Sequence, residues 1–540
     1  MKKSLLSLAT ALALAGVAPL AAAHDNHACI DASCDMVALF QATPEGQGGS
    51  GEVIEARRFG SWGIDTAGMN TGVKPGEDFF AYVSGTWAEN TEIPADQSMY
   101  GSFLILRDLS EARVHRMLEG YQLGNPAGTD NAAKLAALYQ GFMDEAAVEA
   151  LGAKPLQPKL DAIRAVDGKD GMARLMGERN ATFGGSFFGH YVGDDQRNPD
   201  VYTLYLSQSG LGLGDRQMYL DEKFAPQRER YVAYIAELLQ LAGWDDPQGN
   251  AQKIMALETQ IAEAHWTRAE SRDRDKTYNP VKFAELDTVA PGFPWQTYLA
   301  AAEVDYADAG VIRQDTAFPK IAKIFADADL DTLKAWQAFH TTDNAAPLLS
   351  SDFADAHFEF RSKFLSGQPE QRARWKRAVA YTSSAMGEAI GEDYVELYFP
   401  PDAKAKMDEL VANVKVAMGA RLDQLDWMSP ATKAEARSKL EGFGLKIGHP
   451  DEWRDYSALQ LANGDVFGNA ERAMAFEWDY RKGRIGKPVD KAEWGMTPQT
   501  VNAYYNSVKN EIVFPAAILQ PPFFDPDADP AVNYGAIGGV

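Results

Sequence analysis

Several residue patterns that carry chemistry in other proteins are missing from these 540 residues. The sequence contains only two cysteines and eight histidines, and no H-E-x-x-H occurs. It also lacks the G-x-S-x-G elbow of serine hydrolases, the phosphate-binding loop and the dinucleotide-binding glycine pattern. The glycine-rich stretch at residues 183–189 has no lysine and is interpreted as a turn. The residues by themselves therefore predict no catalytic residue and no metal ligand.

Positive charge is scarce relative to negative charge. Asp and Glu number 76 against 52 Lys and Arg, which gives a formal net charge of −24. A chain this acidic repels phosphate backbones, so nucleic acid is not expected as a partner. Hydrophobic residues make up 46% and charged residues 24%, a composition typical of globular domains rather than disorder.

Long hydrophobic runs are also absent beyond the N-terminus. Residues 1–23 combine two early lysines, an apolar stretch and a small-residue cleavage site before His24, the pattern of a secretory signal peptide. A membrane anchor is the alternative, but the apolar run is short for a membrane span. The sequence predicts a secreted protein, most naturally in the bacterial periplasm, with no membrane span after cleavage.

The two cysteines lie close together in the segment that follows. Cys29 and Cys34 are near enough in sequence to bridge in an oxidising compartment, and whether they are bridged stays open. His24 and His27 lie beside them, but their spacing matches no standard zinc pattern.

Helical patterning dominates from about residue 59 onward. Asp130 and Ser429 are expected helix N-caps, Pro430 suits a first helical position, and Gly442 can end a helix. Alternating strand-like runs are few, near residue 204 and near residue 508. The predicted fold is mainly α, with a small β element close to the C-terminus.

Several long segments resemble the neprilysin and endothelin-converting-enzyme family of zinc metallopeptidases. They are VKPGEDFFAYVSGTWAENTEIP (73–94), YGSFLILRD (100–108), SQSGLGLGDRQMYL (207–220), YNPVKFAEL, RWKRAV, LDWMSPATKAEARSKL, KIGHPDEWRDYS and residues 501–540. The resemblance implies two mainly helical lobes around a cavity that admits peptides. It also implies that a zinc-binding H-E-x-x-H helix would follow Val540, so the chain is expected to be truncated just before it. The family uses zinc, and none is expected to bind this chain.

The resemblance also implies a domain organisation. We expect a signal peptide at 1–23, a leader and Gly-rich tether at 24–60, an N-terminal part of the catalytic lobe at 61–94, a helical lobe enclosing the cavity at 95–465, and a partial catalytic lobe with the substrate-binding strand at 466–540. An incomplete lobe is expected to leave apolar side chains exposed, namely Phe514, Ile518, Leu519, Phe523 and Phe524.

Candidate site residues follow from the same resemblance. Asn502 and Ala503 match the pair that binds the substrate backbone, although a packed edge strand is the alternative. Arg107 matches an arginine near the side-chain pocket, although a salt bridge to Asp108 or another neighbour is the alternative. The hydrophobic pocket itself is matched by Phe103, Ile518, Phe523 and Val540.

These expectations lead to two functional hypotheses. The first is a zinc-dependent metalloendopeptidase that cleaves peptides, expected to be inactive as a chain of these 540 residues. The second is a non-catalytic peptide-binding or decoy module. Peptides are the expected partners, whereas the oligomeric state, the substrates and the origin of the truncation stay open.

Overall fold

The computed structural model of the protein describes residues 54–59 and 62–540. The predicted signal peptide, most of the predicted leader, and both cysteines lie outside the described residues. None of the helices in the described part is long and apolar enough to cross a membrane.

Helices account for most of the described chain, which confirms the prediction of a mainly α fold. The α-helices are α1 Phe79–Asn90, α2 Ser102–Gly120, α3 Asn131–Met143, α4 Glu145–Leu151, α5 Gln157–Arg164, α6 Lys169–Gly177, α7 Arg216–Leu220, α8 Ala225–Leu241, α9 Pro247–Ala264, α10 Leu286–Val289, α11 Trp295–Ala301, α12 Phe318–Asp327, α13 Leu330–Ala345, α14 Ser351–Phe358, α15 Arg374–Tyr398, α16 Pro401–Asp423, α17 Pro430–Glu441, α18 Val466–Lys482 and α19 Pro530–Ala536. A π-helical segment, Glu359–Phe364, follows α14, and short 3-10 helices include Ala516–Ile518 and Ile537–Gly539.

The predicted caps lie where the sequence places them. The Asp130 carboxylate accepts a hydrogen bond from the Ala132 N–H at the start of α3. Ser429 accepts from the Thr432 N–H at the start of α17, and Gly442 follows its last residue. Each cap satisfies a backbone N–H that has no partner within the helix, so these boundaries depend on local sequence.

A four-stranded sheet is built from residues 188–312. Its strands are β1 Phe188–Asp194, β2 Tyr202–Gln208, β3 Asn279–Lys282 and β4 Ala309–Ile312, in the order β1-β2-β4-β3. The strand-like run near residue 204 forms β2, as predicted. The other three strands were not predicted, since β3 and β4 are only four residues long and show no clear alternation.

A three-stranded sheet near the C-terminus confirms the predicted small β element. It consists of β5 Gly444–Gly448, β6 Tyr504–Asn506 and β7 Glu511–Pro515, in the order β5-β7-β6. The strand β7 lies in the centre, parallel to β5 and antiparallel to β6. The strand β6 is therefore an edge strand whose second side has no neighbouring strand within this sheet.

Buried side chains form two hydrophobic cores. The first core surrounds the four-stranded sheet and spans Leu156 to Phe360, with Phe467, Ala470 and Trp478 added from α18. The second core combines α2, α3, α15 and α16 with β7 and the residues after it. The predicted segment 95–465 contributes to both cores, and the domain division stays a prediction.

The expectation that C-terminal apolar residues are exposed is wrong for most of them. Phe514, Ile518, Leu519 and Phe524 are buried in the second core, and Phe523 is half-buried against it. They are buried because helices distant in sequence pack against them, and the expectation did not take those helices into account. The large exposed apolar side chains lie elsewhere and include Trp62, Phe79 and Phe80.

Candidate functional site

Asn502 and Ala503 immediately precede the edge strand β6. Asn502 is exposed, and its Oδ1 accepts a hydrogen bond of 2.9 Å from the Ala503 N–H. Ala503 is half-buried and packs against the second core. An exposed side-chain amide beside a free strand edge offers donors and acceptors to an extended segment.

Two hydrogen bonds hold the segment that precedes β6, one to the helix α2 and one to the 3-10 helix after β7. The Ser110 hydroxyl, on α2, donates to the Gln499 carbonyl at 2.7 Å. The Ala517 N–H, in the 3-10 helix Ala516–Ile518, donates to the Pro498 carbonyl at 2.9 Å. The approach to β6, the α2 helix and the segment after β7 are therefore held on one scaffold.

Phe103 and Phe523, two predicted pocket residues, are in contact. Their ring centroids lie 4.6 Å apart at an interplanar angle of 52°. Phe103 is 44% exposed in the first turn of α2, and Phe523 is half-buried against the second core. Together they present an aromatic surface to solvent next to the α2 N-terminus.

The other two predicted pocket residues lie in different surroundings. Ile518 is fully buried in the second core, so its side chain supports the site from beneath and has no free surface. Val540 is 45% exposed after the 3-10 helix Ile537–Gly539, and its N–H donates to the Ile537 carbonyl at 3.0 Å.

Arg107 lies one helical turn after Phe103, on the same side of α2. Its Nε is 3.9 Å from Glu111 Oε1, too far for a hydrogen bond. This buried Nε has no hydrogen-bond partner among the described residues. The neighbour that Arg107 approaches is therefore Glu111 rather than Asp108, whose carboxylate accepts two hydrogen bonds from Gln97 Nε2.

Glu111 is a residue that the sequence analysis missed. Arg372 also pairs with it, and the buried Nε of Arg372 lacks a partner within the described part of the chain. Burial raises the pKa of the Glu111 carboxyl, while the Arg372 and Arg107 guanidiniums lower it. The i, i+4 spacing on α2 could have indicated Glu111, but Arg372 is too distant in sequence to be found by spacing.

The described residues do not provide a zinc site. No group of three or more His, Cys, Asp or Glu side chains among them is placed to hold a metal ion. Histidines instead meet single acidic partners, as His115 Nε2 does with Glu119 at 3.5 Å and His340 Nε2 with Glu258 at 2.7 Å.

Solved structures identify the fold. Residues of this chain superimpose on the crystal structure of a Mycobacterium tuberculosis zinc metalloprotease, Zmp1, in complex with an inhibitor, with a TM-score of 0.84 and 38% sequence identity. The match covers 88% of this chain and 73% of that one. PepO from Lactobacillus rhamnosis gives a TM-score of 0.76 at 23% identity, over 86% of this chain and 74% of that chain, and supports the fold alone. The fold is that of a mainly helical metallopeptidase.

Sequence comparisons identify the family. Models described as peptidase family M13 match residues 75–450 and 502–540. Human endothelin-converting enzyme 1 is 29% identical over 497 residues, which cover 87% of this chain and 64% of that protein. The chain therefore spans less than two thirds of the length of that relative. The chain belongs to peptidase family M13, and the predicted resemblance to neprilysin and endothelin-converting enzyme is confirmed.

Proposed function

We propose that this chain is part of a zinc-dependent metalloendopeptidase, and that its described residues form the peptide-binding side of the site. The observation that carries this proposal is the helix α2 as a shared scaffold. Ser110 on α2 holds the segment before β6 through the Gln499 carbonyl, and Phe103 on the same helix contacts Phe523. Membership of family M13 supports peptides as the substrate class.

The proposed binding mode follows from the chemistry of each group. An extended peptide adds to the free side of β6 as a further strand, with Asn502 bonding its backbone. One apolar side chain of the peptide rests on the Phe103–Phe523 rings, where burial of apolar area stabilises it. Arg107, whose side chain is 41% exposed, offers the terminal N–H groups of its guanidinium to a peptide carbonyl or carboxylate, for which its planar fork is suited.

We further propose that the 540-residue polypeptide binds peptides but does not hydrolyse them. The sequence contains no H-E-x-x-H, and the described residues offer no ligand cluster that fits a zinc ion. The test is to incubate the purified polypeptide with a mixture of quenched fluorescent peptides, with and without a chelator. Peptide cleavage that disappears on chelation and returns with added Zn²⁺ would refute the proposal.

Peptide binding itself is tested with fluorescein-labelled short peptides and fluorescence anisotropy. Phe103→Ala should weaken binding by about tenfold, because loss of part of an apolar contact amounts to roughly 1–2 kcal/mol. Phe364→Ala is the matched control, since Phe364 is 43% exposed and contacts one ring, as Phe103 does. Equal effects of the two substitutions would contradict the proposed position of the site.

A purely peptide-binding or decoy role is the second candidate function. This role predicts the same peptide binding. It is favoured if the 540-residue polypeptide is found in the cell envelope, is monodisperse and binds peptides tightly. Export to the periplasm is part of both proposals and is supported by residues 1–23. Mass spectrometry of the native protein should find an N-terminus at His24.

A further inference from the structure

The segment 207–220 belongs to the motifs that carry the family resemblance, but the proposed peptide site does not use it. It forms the end of β2, a glycine-rich loop and the short helix α7. Gly210 and Gly214 have φ angles of +101° and +82°, a region that only glycine adopts without strain. A Cβ at Gly212 would lie 1.8 Å from the Tyr231 hydroxyl. The glycines are therefore required by the loop's shape and packing.

The inner side of this loop is held by a fully buried carboxylate. The Gly212 N–H donates to Glu258 Oε2 at 3.2 Å, and the Leu213 N–H donates to the Tyr219 hydroxyl at 2.8 Å. The Tyr219 hydroxyl in turn donates to Glu258 Oε2. Arg361 also donates to the Gly212 carbonyl. These hydrogen bonds hold the inner side of the loop in place without a ligand.

The outer side of the same loop lines a cavity of about 270 Å³, which we call the loop cavity. Its wall includes Gly210, Leu211 and Gly214, whose backbone N–H groups have no hydrogen-bond partner within residues 54–59 and 62–540. The amides of Gly212 and Leu213 are used by the core, through Glu258 and the Tyr219 hydroxyl, whereas those of the three wall residues stay available to a ligand. A liquid water occupies about 30 Å³, so the space exceeds what a single water needs.

Cationic side chains complete the wall of the loop cavity. Arg216 donates through Nε to the Ala262 carbonyl at 3.2 Å, and no carboxylate in the described part of the chain pairs with it. Arg268 is 76% exposed at the rim and pairs with Asp215. The cavity therefore has more positive than negative side chains in a protein whose net charge is −24.

The neighbouring histidine adds a donor rather than a charge. His265 Nε2 lies 3.1 Å from the Ser209 carbonyl, which can only accept, so Nε2 carries the proton. Burial lowers the pKa of His265 to about 4, so the ring is neutral at pH 7. The positive charge of the cavity is therefore that of its arginines and is constant above pH 5.

We propose that the loop cavity binds a small oxyanion, separately from the peptide site on β6. Arg216 supplies the attracting charge, and the amides of Gly210, Leu211 and Gly214 supply neutral donors. Backbone N–H groups of one loop beside a guanidinium are a common arrangement for oxyanions. Phosphate and small carboxylates share this chemistry, and the arms of the experiment distinguish them.

The test is isothermal titration calorimetry on the full 540-residue chain, at constant ionic strength, with inorganic phosphate in one arm and succinate in the other. Saturable binding of one ion per chain is expected in at least one arm. Arg216→Gln should weaken that binding by about tenfold or more, because a hydrogen-bonded charge is removed. Arg230→Gln is the control, since Arg230 pairs with Glu237 on the surface of α8 and lies outside the cavity wall.

Two results would overturn the proposal. The first is the absence of saturable binding of either anion to the natural sequence. The second is unchanged binding in both Arg216→Gln and Arg268→Gln, the latter being an exposed residue whose replacement leaves folding intact. Hydrogen exchange offers an independent readout, because the bound anion should slow exchange in residues 207–220 without slowing it in β6. Since neither measurement involves peptides, failure of the proposed peptide-binding function would leave this result unaffected.

Discussion

Glu258 is predicted to be one of the most sensitive single positions in the first core. Its side chain is completely buried on α9. Oε1 accepts hydrogen bonds from Trp336 Nε1 at 3.1 Å and His340 Nε2 at 2.7 Å. Oε2 accepts from the Gly212 N–H and from two tyrosine hydroxyls, whose pKa values are raised well above the usual value by burial. All of these groups are donors, so the site is built for a carboxylate.

The substitution Glu258→Gln retains the shape of the side chain and replaces one acceptor by a donor. If the amide group occupies the Oε1 side, it faces the N–H of Trp336, which cannot accept, whereas His340 can accept by changing its tautomer. At least one strong hydrogen bond is then lost and one buried donor is left unpaired. Hydrogen bonds to charged groups contribute about 1.5–3 kcal/mol and an unpaired buried group costs about 1–3 kcal/mol. We expect the free energy of unfolding to fall by about 2–5 kcal/mol.

The assay is urea unfolding followed by tryptophan fluorescence and by far-ultraviolet circular dichroism. Glu263→Gln is the control, because Glu263 lies on the same helix and is exposed, so its effect should stay within about 0.5 kcal/mol. Glu258→Ala should be more destabilising than Glu258→Gln, since it leaves every donor unpaired. If Glu258→Gln shifts the midpoint no more than the control does, the reasoning on the buried carboxylate is refuted.

Three further predictions concern the acid sensitivity, a helix cap and the peptide site. His190 is buried, and burial lowers its pKa to about 3. Its neutral form therefore stabilises the fold fully above pH 6.5, and this stabilisation is lost as the pH falls toward 3. Between pH 7 and pH 5 the free energy of unfolding should fall by about 2 kcal/mol for this reason, and His190→Gln should flatten the pH dependence of the unfolding midpoint. Ser429→Ala should lower the stability of the α17 N-terminus by about 1 kcal/mol, measured by hydrogen exchange, and Ser429→Asp should restore the cap; unchanged exchange in Ser429→Ala would contradict the capping argument. Arg107→Gln should weaken the binding of peptides with a free C-terminal carboxylate more than the binding of amidated peptides. An equal loss of affinity for both would show that Arg107 does not contact that carboxylate.

Sequence reasoning found the features that depend on neighbouring residues. The caps of α3 and α17 were predicted because a cap and the N–H that it satisfies lie within three residues of each other. The strand β2 and the hairpin-like pair β6 and β7 were indicated by alternation within a few residues. The family resemblance was found because its motifs are long and contiguous. It also singled out Phe103 and Phe523, which the structure brings into contact.

The tertiary structure decided everything that depends on distant parts of the chain meeting. Glu258 has no informative neighbours in sequence, yet it joins the loop at Gly212 to Trp336 and His340. Ile518 was matched to a pocket by sequence, but packing against helices from earlier in the chain buries it completely. Local sequence determines helix ends and strand alternation because those hydrogen bonds are short-range. Burial and the pairing of buried charges depend on which distant surfaces pack together, and a single sequence does not reveal that packing.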